Sequence, residues 1–522
     1  MKKIITLFAF FLSLYTSYAQ DPNIQWQKTI GGSADDRPTS LIKTNDGGFL
    51  VGGTSDSNIS GEKSEDSKGG IDYWILKLDD TANILWQRTY GGSEDDYLTS
   101  VMQTTDGGYI IGGASNSGIS GDKTEDSRGE LDYWILKLDS NGDIQWQKTY
   151  GGNRSDEPVS AVETDDGGYL VTGRSSSAES GDRTVSRNGL PDAWVLKLDA
   201  TGAIVWQKSY GSTDYNFACN VYGVAKTLDG GFILSSDLII FQSQNNPYWI
   251  LKIDASGNQV WDKTIRGNNL DLKPKISTTT DAGYIVAGIS DSDAVEDKTE
   301  NAINGSFDYW ILKLDETGTI IWQNTIGGAN SESLGTISQS ADGGYLVSGN
   351  SSSNISGDKT ENSLGHSDFW FVKLNNVGII EWQNTIGGDE YEFGGGSIQT
   401  TDGDFIIFGS SDSNISGDKT ENSRGGYDYW IVKHNSTLGI EENSFASDIT
   451  IYPNPVKNIL QINSQDQVIN QVNIYNVTGS RIMHLDLDSV SPNVDVSSLA
   501  SAVYFVQLYS GNNVALKKFV KE

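Results

Sequence analysis

The 522 residues are 36% hydrophobic, 10% aromatic and 20% charged, which excludes intrinsic disorder and exceeds one ordinary domain. Gly 59 and Trp 14 beside 3 Met and 9 Pro is a turn-rich, all-β balance, because strands bury aromatic area and tight turns need residues that tolerate positive φ. Lys+Arg 37 against Asp+Glu 69 leaves a net charge of −32, a field that repels phosphate backbones and anionic lipid, so no nucleic-acid partner is expected.

In chain order, Lys2 and Lys3 precede the apolar run Ile4 to Leu14, and Ser17-Tyr18-Ala19 places small residues before a cut between Ala19 and Gln20. Residues 1–19 therefore read as a secretory signal peptide. The run is too short to span a bilayer and nothing later approaches about 18 apolar residues, so the mature chain is expected not to be membrane-spanning. No cysteine follows the segment, which argues against a lipid anchor.

Two tryptophan series then share one period. Trp26, Trp86, Trp146, Trp206, Trp261, Trp322 and Trp382 sit in a motif written IQWQKTI at Ile24 to Ile30, spaced by 60, 60, 60, 55, 61 and 60 residues. Trp74, Trp134, Trp194, Trp249, Trp310, Trp370 and Trp430 sit in a motif written DYWILKLD at Asp72 to Asp79. Together they use all fourteen tryptophans, so the count reports seven repeats.

The second repeat resolves into four strands. Ile84 to Tyr90 alternates in character (strand a), Leu98 to Thr104 and Tyr109 to Ala114 flank an Asp106-Gly107 turn (strands b and c), and Asp132 to Asp139 is strand d. Ser140-Asn141-Gly142-Asp143 turns strand d straight into the next strand a, so sheets group as b, c, d, a. This leaves Ile24 to Ile30 without a preceding d and Asp428 to His434 without a following a. Pairing these two orphans closes a ring, which predicts a seven-bladed β-propeller over residues 22–436. An open solenoid is the alternative, but neither end looks like a cap.

After a linker, residues 437–447, tryptophan disappears, and from Ile449 to Glu522 five basic residues balance five acidic ones. Strands are expected at Ile449 to Tyr452, Ile459 to Ile462, Val472 to Asn476, Tyr504 to Tyr509 and Ala515 to Val520, as a small Ig-like β-sandwich over 448–522. Four motifs stand in order: Ile451-Tyr452-Pro453-Asn454-Pro455; Ile474-Tyr475-Asn476-Val477-Thr478-Gly479; Asp495-Val496-Ser497-Ser498-Leu499; and Tyr504-Phe505-Val506 with the ending Lys517-Lys518-Phe519-Val520-Lys521. This segment resembles the C-terminal (Por) sorting domain of the type IX secretion system of Bacteroidetes. The resemblance implies export past the inner membrane, recognition by the type IX secretion machinery, and release or attachment at the cell surface, usually with the domain removed. Ala502 departs from the glycine the family commonly has before the tyrosine.

For chemistry the sequence offers little. Cys219 stands alone, His366, His434 and His484 are scattered, and no GxSxG, HExxH or phosphate-cradling glycine loop occurs. Tryptophans could stack on sugars, but Trp86 shares a strand face with Ile84, and Trp134 with Leu136 and Leu138, which favours packing between blades. In the loop Ser410 to Glu421, the oxygens of Asp412, Asn414, Ser416 and Asp418 around Gly417 resemble the first half of a calcium loop, making Ca²⁺ the one candidate cofactor. Ser423 in place of a bidentate glutamate and Ile415 in a polar position argue instead for a solvated loop whose Asp and Lys pair locally. Acids after strand a, Asp35, Asp36, Asp95, Asp96, Asp156 and Glu157, then Asp214, Glu332 and Glu390, could ring one mouth of the channel and attract cations, or serve solubility.

The fourth repeat breaks the pattern, with Cys219, Arg266 and Lys273 as unusual neighbours between Gly211 and Lys275. No carboxylate pair stands out as catalytic. The sequence thus points to a secreted or surface binding or adhesion protein for polysaccharide or extracellular protein, since repetition suits summed weak sites. A glycan-degrading hydrolase or lyase centred on the fourth or fifth blade, and a passive surface-layer component, are the alternatives.

Overall fold

The computed structural model describes residues 23–211, 217–240, 245–435, 449–465, 467–476, 481–510 and 513–522. The expected signal peptide with Ala19 and Gln20, the linker, Asp214 and Gly479 lie outside the described residues. The chain divides into two compact units, 1–436 and 437–522.

In the first unit, β1 (Ile24–Ile30) is followed by β2 (Asp36–Lys43), β3 (Phe49–Ser55), β4 (Asp72–Leu78) and β5 (Ile84–Tyr90). β2 to β5 form an antiparallel four-stranded sheet in sequence order, and the pattern recurs through the unit to give seven such sheets. The seventh is completed from the other end of the unit: β1 pairs with Asp428–His434, Ile24 opposite His434 and Ile30 opposite Tyr429. The first strand of each sheet lies against the first strands of both neighbouring sheets, so these strands form a closed inner ring. Each inner strand carries a bulge, between Pro38 and Ser40 in β2, which bends it locally. The b strands begin about two residues earlier than expected, at Asp96 in the second sheet. The second acid of each loop therefore belongs to a strand.

Sheet-to-sheet packing explains the tryptophan period. β4 is buried along its whole length, on both faces. Tyr73 of the first sheet packs on Trp134 of the second with ring centroids 5.0 Å apart, and Tyr133–Trp194, Tyr248–Trp310, Tyr309–Trp370, Phe369–Trp430 and Tyr429–Trp74 repeat the contact, the last across the closure. The indole N–H of Trp74 donates to Gln87 Oε1 at 3.1 Å, satisfying its one buried polar group. The strand a tryptophans are half-buried, except Trp382, which is buried.

The second unit contains a three-stranded sheet (Thr450–Tyr452, Ile459–Asn463, Asn493–Asp495) and a four-stranded sheet ordered Arg481–Val490, Val468–Asn476, Ala502–Ser510, Asn513–Lys521. Their shared core includes Ile449, Leu460, Ile474, Val494, Val506 and Phe519. Two strands go beyond the five expected. Arg481–Val490 puts only Met483, Leu485 and Leu487 against the core, an alternation diluted by the polar residues between them.

Candidate functional site

The acids thought to ring a mouth fall into two classes. Asp36, Asp96, Asp156 and Glu332 are at most 2% exposed and cannot attract solution cations. Asp36 Oδ2 accepts from Gly32 N at 2.5 Å and from Ser57 Oγ at 3.0 Å. In the first sheet it shares a buried cation, Lys63, with Asp72. Lys63 Nζ donates to Thr89 Oγ1 at 2.9 Å and lies 5.1 Å from the centre of the Trp74 ring. The cation recurs as Lys123, Arg183, Lys298, Lys359 and Lys419, so these loop cations are buried rather than solvated. Burial raises the carboxyls, Asp72 to about 6, and lowers Lys63 to about 8.

The paired glycines after strand a serve this packing rather than a turn: a Cβ on Gly91 would sit 1.7 Å from Asp72 Oδ1. In the sixth and seventh sheets the longer Glu332 and Glu392 reach Asp308 and Asp368 of the preceding sheet, and burial holds these pairs partly protonated. Buried in this way, they have no access to substrate.

The fourth sheet drops this polar set as a unit. By register, Cys219 stands in place of Asp36, Leu238 in place of Ser55, and Pro247 in place of Asp72. Replacing all members together avoids leaving one buried charge unpaired. Burial pushes the Cys219 thiol up to about 12, so it is inert. Arg266 is exposed on its loop, its backbone N–H donating to Asp297 Oδ2 at 3.0 Å.

One register position escapes the repetition altogether. By register, the residue that follows the Asp36 position of each inner strand, at the loop end of the ring, is in turn Arg37, Tyr97, Glu157, Asn220, Leu272, Ser333 and Phe393. The preceding position is acidic in six of the seven strands, so seven different residues here, from the exposed Tyr97 and Phe393 to the buried Asn220, make this mouth the candidate site.

On one side of the mouth a polar chain joins three sheets. Arg174 Nη2 donates to both Glu157 oxygens, at 2.7 and 2.9 Å, and Arg174 Nη1 donates to Asn220 Oδ1 at 3.3 Å. Asn220 Nδ2 donates to Asp237 Oδ1 at 3.1 Å. Tyr222 hydrogen-bonds Asp237, and the Lys273 backbone N–H reaches Asp237 Oδ2 at 3.5 Å. Burial raises Asp237 to about 6 against these donors and the Lys273 charge. Lys273 is exposed and holds φ at 55°, a left-handed conformation that costs a non-glycine residue about 1 kcal/mol or more.

On the other side runs an aromatic strip. His366 stacks on Tyr391 at 4.7 Å, Tyr391 on Phe393 at 5.5 Å, and Phe393 meets Tyr427 at 5.7 Å. The Arg37 guanidinium lies 3.9 Å over the Tyr427 ring. Tyr391 is 38% and Phe393 36% exposed, so part of this aromatic stack meets solvent beside hydroxyl and guanidinium donors. None of these residues belongs to the tryptophan series. Their signal in the sequence is the pair of aromatic residues Tyr391 and Phe393 close together after strand a.

The proposed calcium-loop residues are each engaged in loop structure. Asp412 Oδ1 accepts from Tyr391 N at 2.8 Å, Ser416 Oγ donates to Asp389 Oδ1 at 2.6 Å and to the Asn414 carbonyl at 3.0 Å, and Asp418 Oδ2 accepts from Gly387 N at 3.2 Å. Among the described residues no cluster of three or more His, Cys, Asp or Glu could hold a metal ion.

In the second unit, Asn454 ties the start to the last strand, accepting from Val520 N at 2.8 Å and donating to the Lys518 carbonyl at 3.2 Å, between Pro453 and Pro455. Tyr504 stacks on Phe519 and donates to the Ala500 carbonyl at 3.0 Å. Lys521 is 7% exposed and pairs with Ala502 at the strand end. Ala502 opens an extended strand there, a conformation that does not require glycine.

Residues 450–522 match the secretion system C-terminal sorting domain. The chain is thus sorted by type IX secretion to the cell surface or the extracellular space. Among the described residues no helix is long and apolar enough to cross a membrane. A stretch of 140 residues is 26% identical to the regulatory protein FlaEY of Caulobacter vibrioides, covering 26% of this chain and 15% of that protein's length. Among solved structures, the Pan2 WD40 domain of Neurospora crassa is similar over 80% of this chain and 97% of its own, at 9% identity and TM-score 0.43. An ulvan lyase from a new polysaccharide lyase family is similar over 78% of this chain and 96% of its own, at 9% identity and TM-score 0.43.

Proposed function

From a chain that its sorting domain sends out of the cell, we propose a secreted or surface-attached binding protein whose propeller mouth holds polysaccharide. In this reading residues 22–436 are a seven-bladed β-propeller, 448–522 an Ig-like sandwich, 437–447 the linker, and 1–19 a signal peptide removed at Ala19-Gln20. The run His366, Tyr391 and Phe393, exposed, with the half-buried Tyr427, carries the reading. Sugar rings present C–H groups that pack on aromatic planes and edges, and a run of contacting rings 4.7 to 5.7 Å apart offers such contacts at several neighbouring points rather than one. The test is binding of the mature chain to a broad glycan array, with Ca²⁺ and with chelator, beside a Tyr391→Ala/Phe393→Ala double variant. A stacked ring contributes about 0.5–1.5 kcal/mol, so the double variant loses roughly tenfold or more in affinity. No glycan signal from the intact chain, or an undiminished signal from the double variant, refutes the reading. Loss of binding on chelation alone would return Asp412, Asn414, Ser416 and Asp418 to consideration as metal ligands.

One observation favours a glycan-degrading hydrolase or lyase as the second reading: Asp237, raised to about 6, stands beside Tyr222 in a cluster that no other sheet has among the described residues. Turnover of a bound glycan that disappears in Asp237→Asn would replace binding by catalysis.

A further inference from the structure

Deeper along the inner strands lies a second register position, just past the bulge. Six sheets place small residues there: Ser40, Ser100, Ser160, Gly223, Thr336 and Gly396. The crowding of seven strands around one axis explains the choice, since Ser40 Oγ already accepts from Val101 N of the next sheet at 3.4 Å. The fifth sheet places Lys275 in this position, opposite Ala287. Its chain neighbours Pro274 and Ile276 are buried while Lys275 keeps partial access to solvent.

The strand d lysines of the repeat do not resemble it. Lys77, Lys137, Lys197, Lys252, Lys313, Lys373 and Lys433 each pair with the aspartate of a turn, as Lys77 does with Asp46 at 2.9 Å. Among the described residues no carboxylate pairs with Lys275. The charge acting on it is the like charge of Lys273, which together with burial lowers its pKa. In a chain with 69 acidic and 37 basic residues, a half-buried inner-strand lysine left without an acid is a cation awaiting a counter-charge.

We propose that Lys275 anchors an anion site at the axis of the ring, taking the carboxylate or sulfate of a small ligand that enters past Lys273. A lysine suits this role as a compact point charge with three donors, on a stem long enough to cross a ring lined by small side chains. The inference stands apart from the aromatic strip. It assigns the charge of the bound group, and that group can belong to an acidic sugar or be a free inorganic anion.

Calorimetric titration of the full mature chain with sodium glucuronate, sodium sulfate and neutral glucose tests it. Saturable binding is expected for glucuronate, with glucose silent. Equal binding of sulfate marks a general anion site, and binding of glucuronate alone marks an acidic-sugar site. Lys275→Ser, which installs the residue of three other sheets, should weaken binding roughly tenfold or more, while Lys275→Arg should keep it. Tyr391→Ala/Phe393→Ala should leave anion binding unchanged, which separates this inference from the glycan reading. No binding of either anion to the intact chain, or undiminished binding in Lys275→Ser, overturns the proposal.

Discussion

Removing a tryptophan at three different seams should cost three predictable amounts. Trp74 is fully buried, donates its N–H to Gln87 at 3.1 Å, stacks 5.0 Å from Tyr429 across the closure, and has Lys63 Nζ 5.1 Å from its ring. Truncating a buried tryptophan costs about 3–5 kcal/mol, and the ring pair and the cation over the ring add about 1–2 kcal/mol together. Gln87 Oε1 keeps the Ser64 N–H at 3.0 Å, so no acceptor is orphaned. Trp134, stacked on Tyr73 at 5.0 Å, is the equivalent residue inside the ring.

Trp249 differs. Ala193 stands where Tyr73, Tyr133, Tyr248, Tyr309, Phe369 and Tyr429 stand in the other sheets, and among the described residues no ring stacks on Trp249, which is 7% exposed. Trp74→Ala should therefore cost most, Trp134→Ala, with no cation over its ring among the described residues, about 0.5–1 kcal/mol less, and Trp249→Ala about 1–2 kcal/mol less than Trp74→Ala. Urea unfolding of the mature chain followed by far-ultraviolet circular dichroism reads the difference. A Trp74→Ala cost well below that of Trp134→Ala would refute closure of the ring. A Trp249→Ala cost equal to that of Trp74→Ala would refute the assignment of the surplus to the ring contacts.

Ala282 sits at φ 67° in the turn position where Gly47, Gly107, Gly167, Gly230, Gly343 and Gly403 stand. Ala282→Gly should raise stability by about 1 kcal/mol, seen as a higher urea midpoint, and a lowered midpoint would contradict the strain. Asp72, Asp132 and Asp428 titrate near 6 in the fold against about 3.9 unfolded. The folded chain then holds more protons between about pH 4 and 6, so stability should fall as pH rises across that window, by up to about 2.7 kcal/mol per group. Urea midpoints at pH 4.5 and 7 decide the sign, and a midpoint that rises instead would show the carboxylates ionised and paired with their buried cations. Deleting residues 449–522 should leave the protein inside the cell envelope, as judged by fractionation and immunoblotting. Delivery of the truncated chain to the surface or medium would show that sorting does not depend on the domain.

Much of the architecture is legible in the one-dimensional pattern, because it rests on local periodicity. Two tryptophan series on one period, an Asp-Gly turn between b and c, and a short d-to-a turn dictate four-stranded sheets ordered b, c, d, a. The sorting domain is legible for a different reason: its motifs are contiguous and ordered. Charge was harder to place. Asp35 and Asp36 are neighbours in a polar loop, yet Asp35 faces solvent and Asp36 is sealed between sheets, because the strand begins at Asp36 and alternation turns it inward. Only packing of one sheet on the next decides which acid meets Lys63.

The same holds for the mouth. His366, Tyr391, Phe393 and Tyr427 lie up to about sixty residues apart in sequence and become one surface only when the sheets close around an axis. Lys275 stands out for chemistry only when the register sets it at the level held by Ser40, Ser100 and Thr336 in other sheets. Sequence by itself determined the repeat, the strand order and the export signal at the C-terminus, since each depends on near neighbours along the chain. Tertiary structure decided which charges are buried, which aromatic rings gather at one mouth and that, among the described residues, Lys275 has no carboxylate against it, since each depends on contacts between residues that the chain keeps far apart.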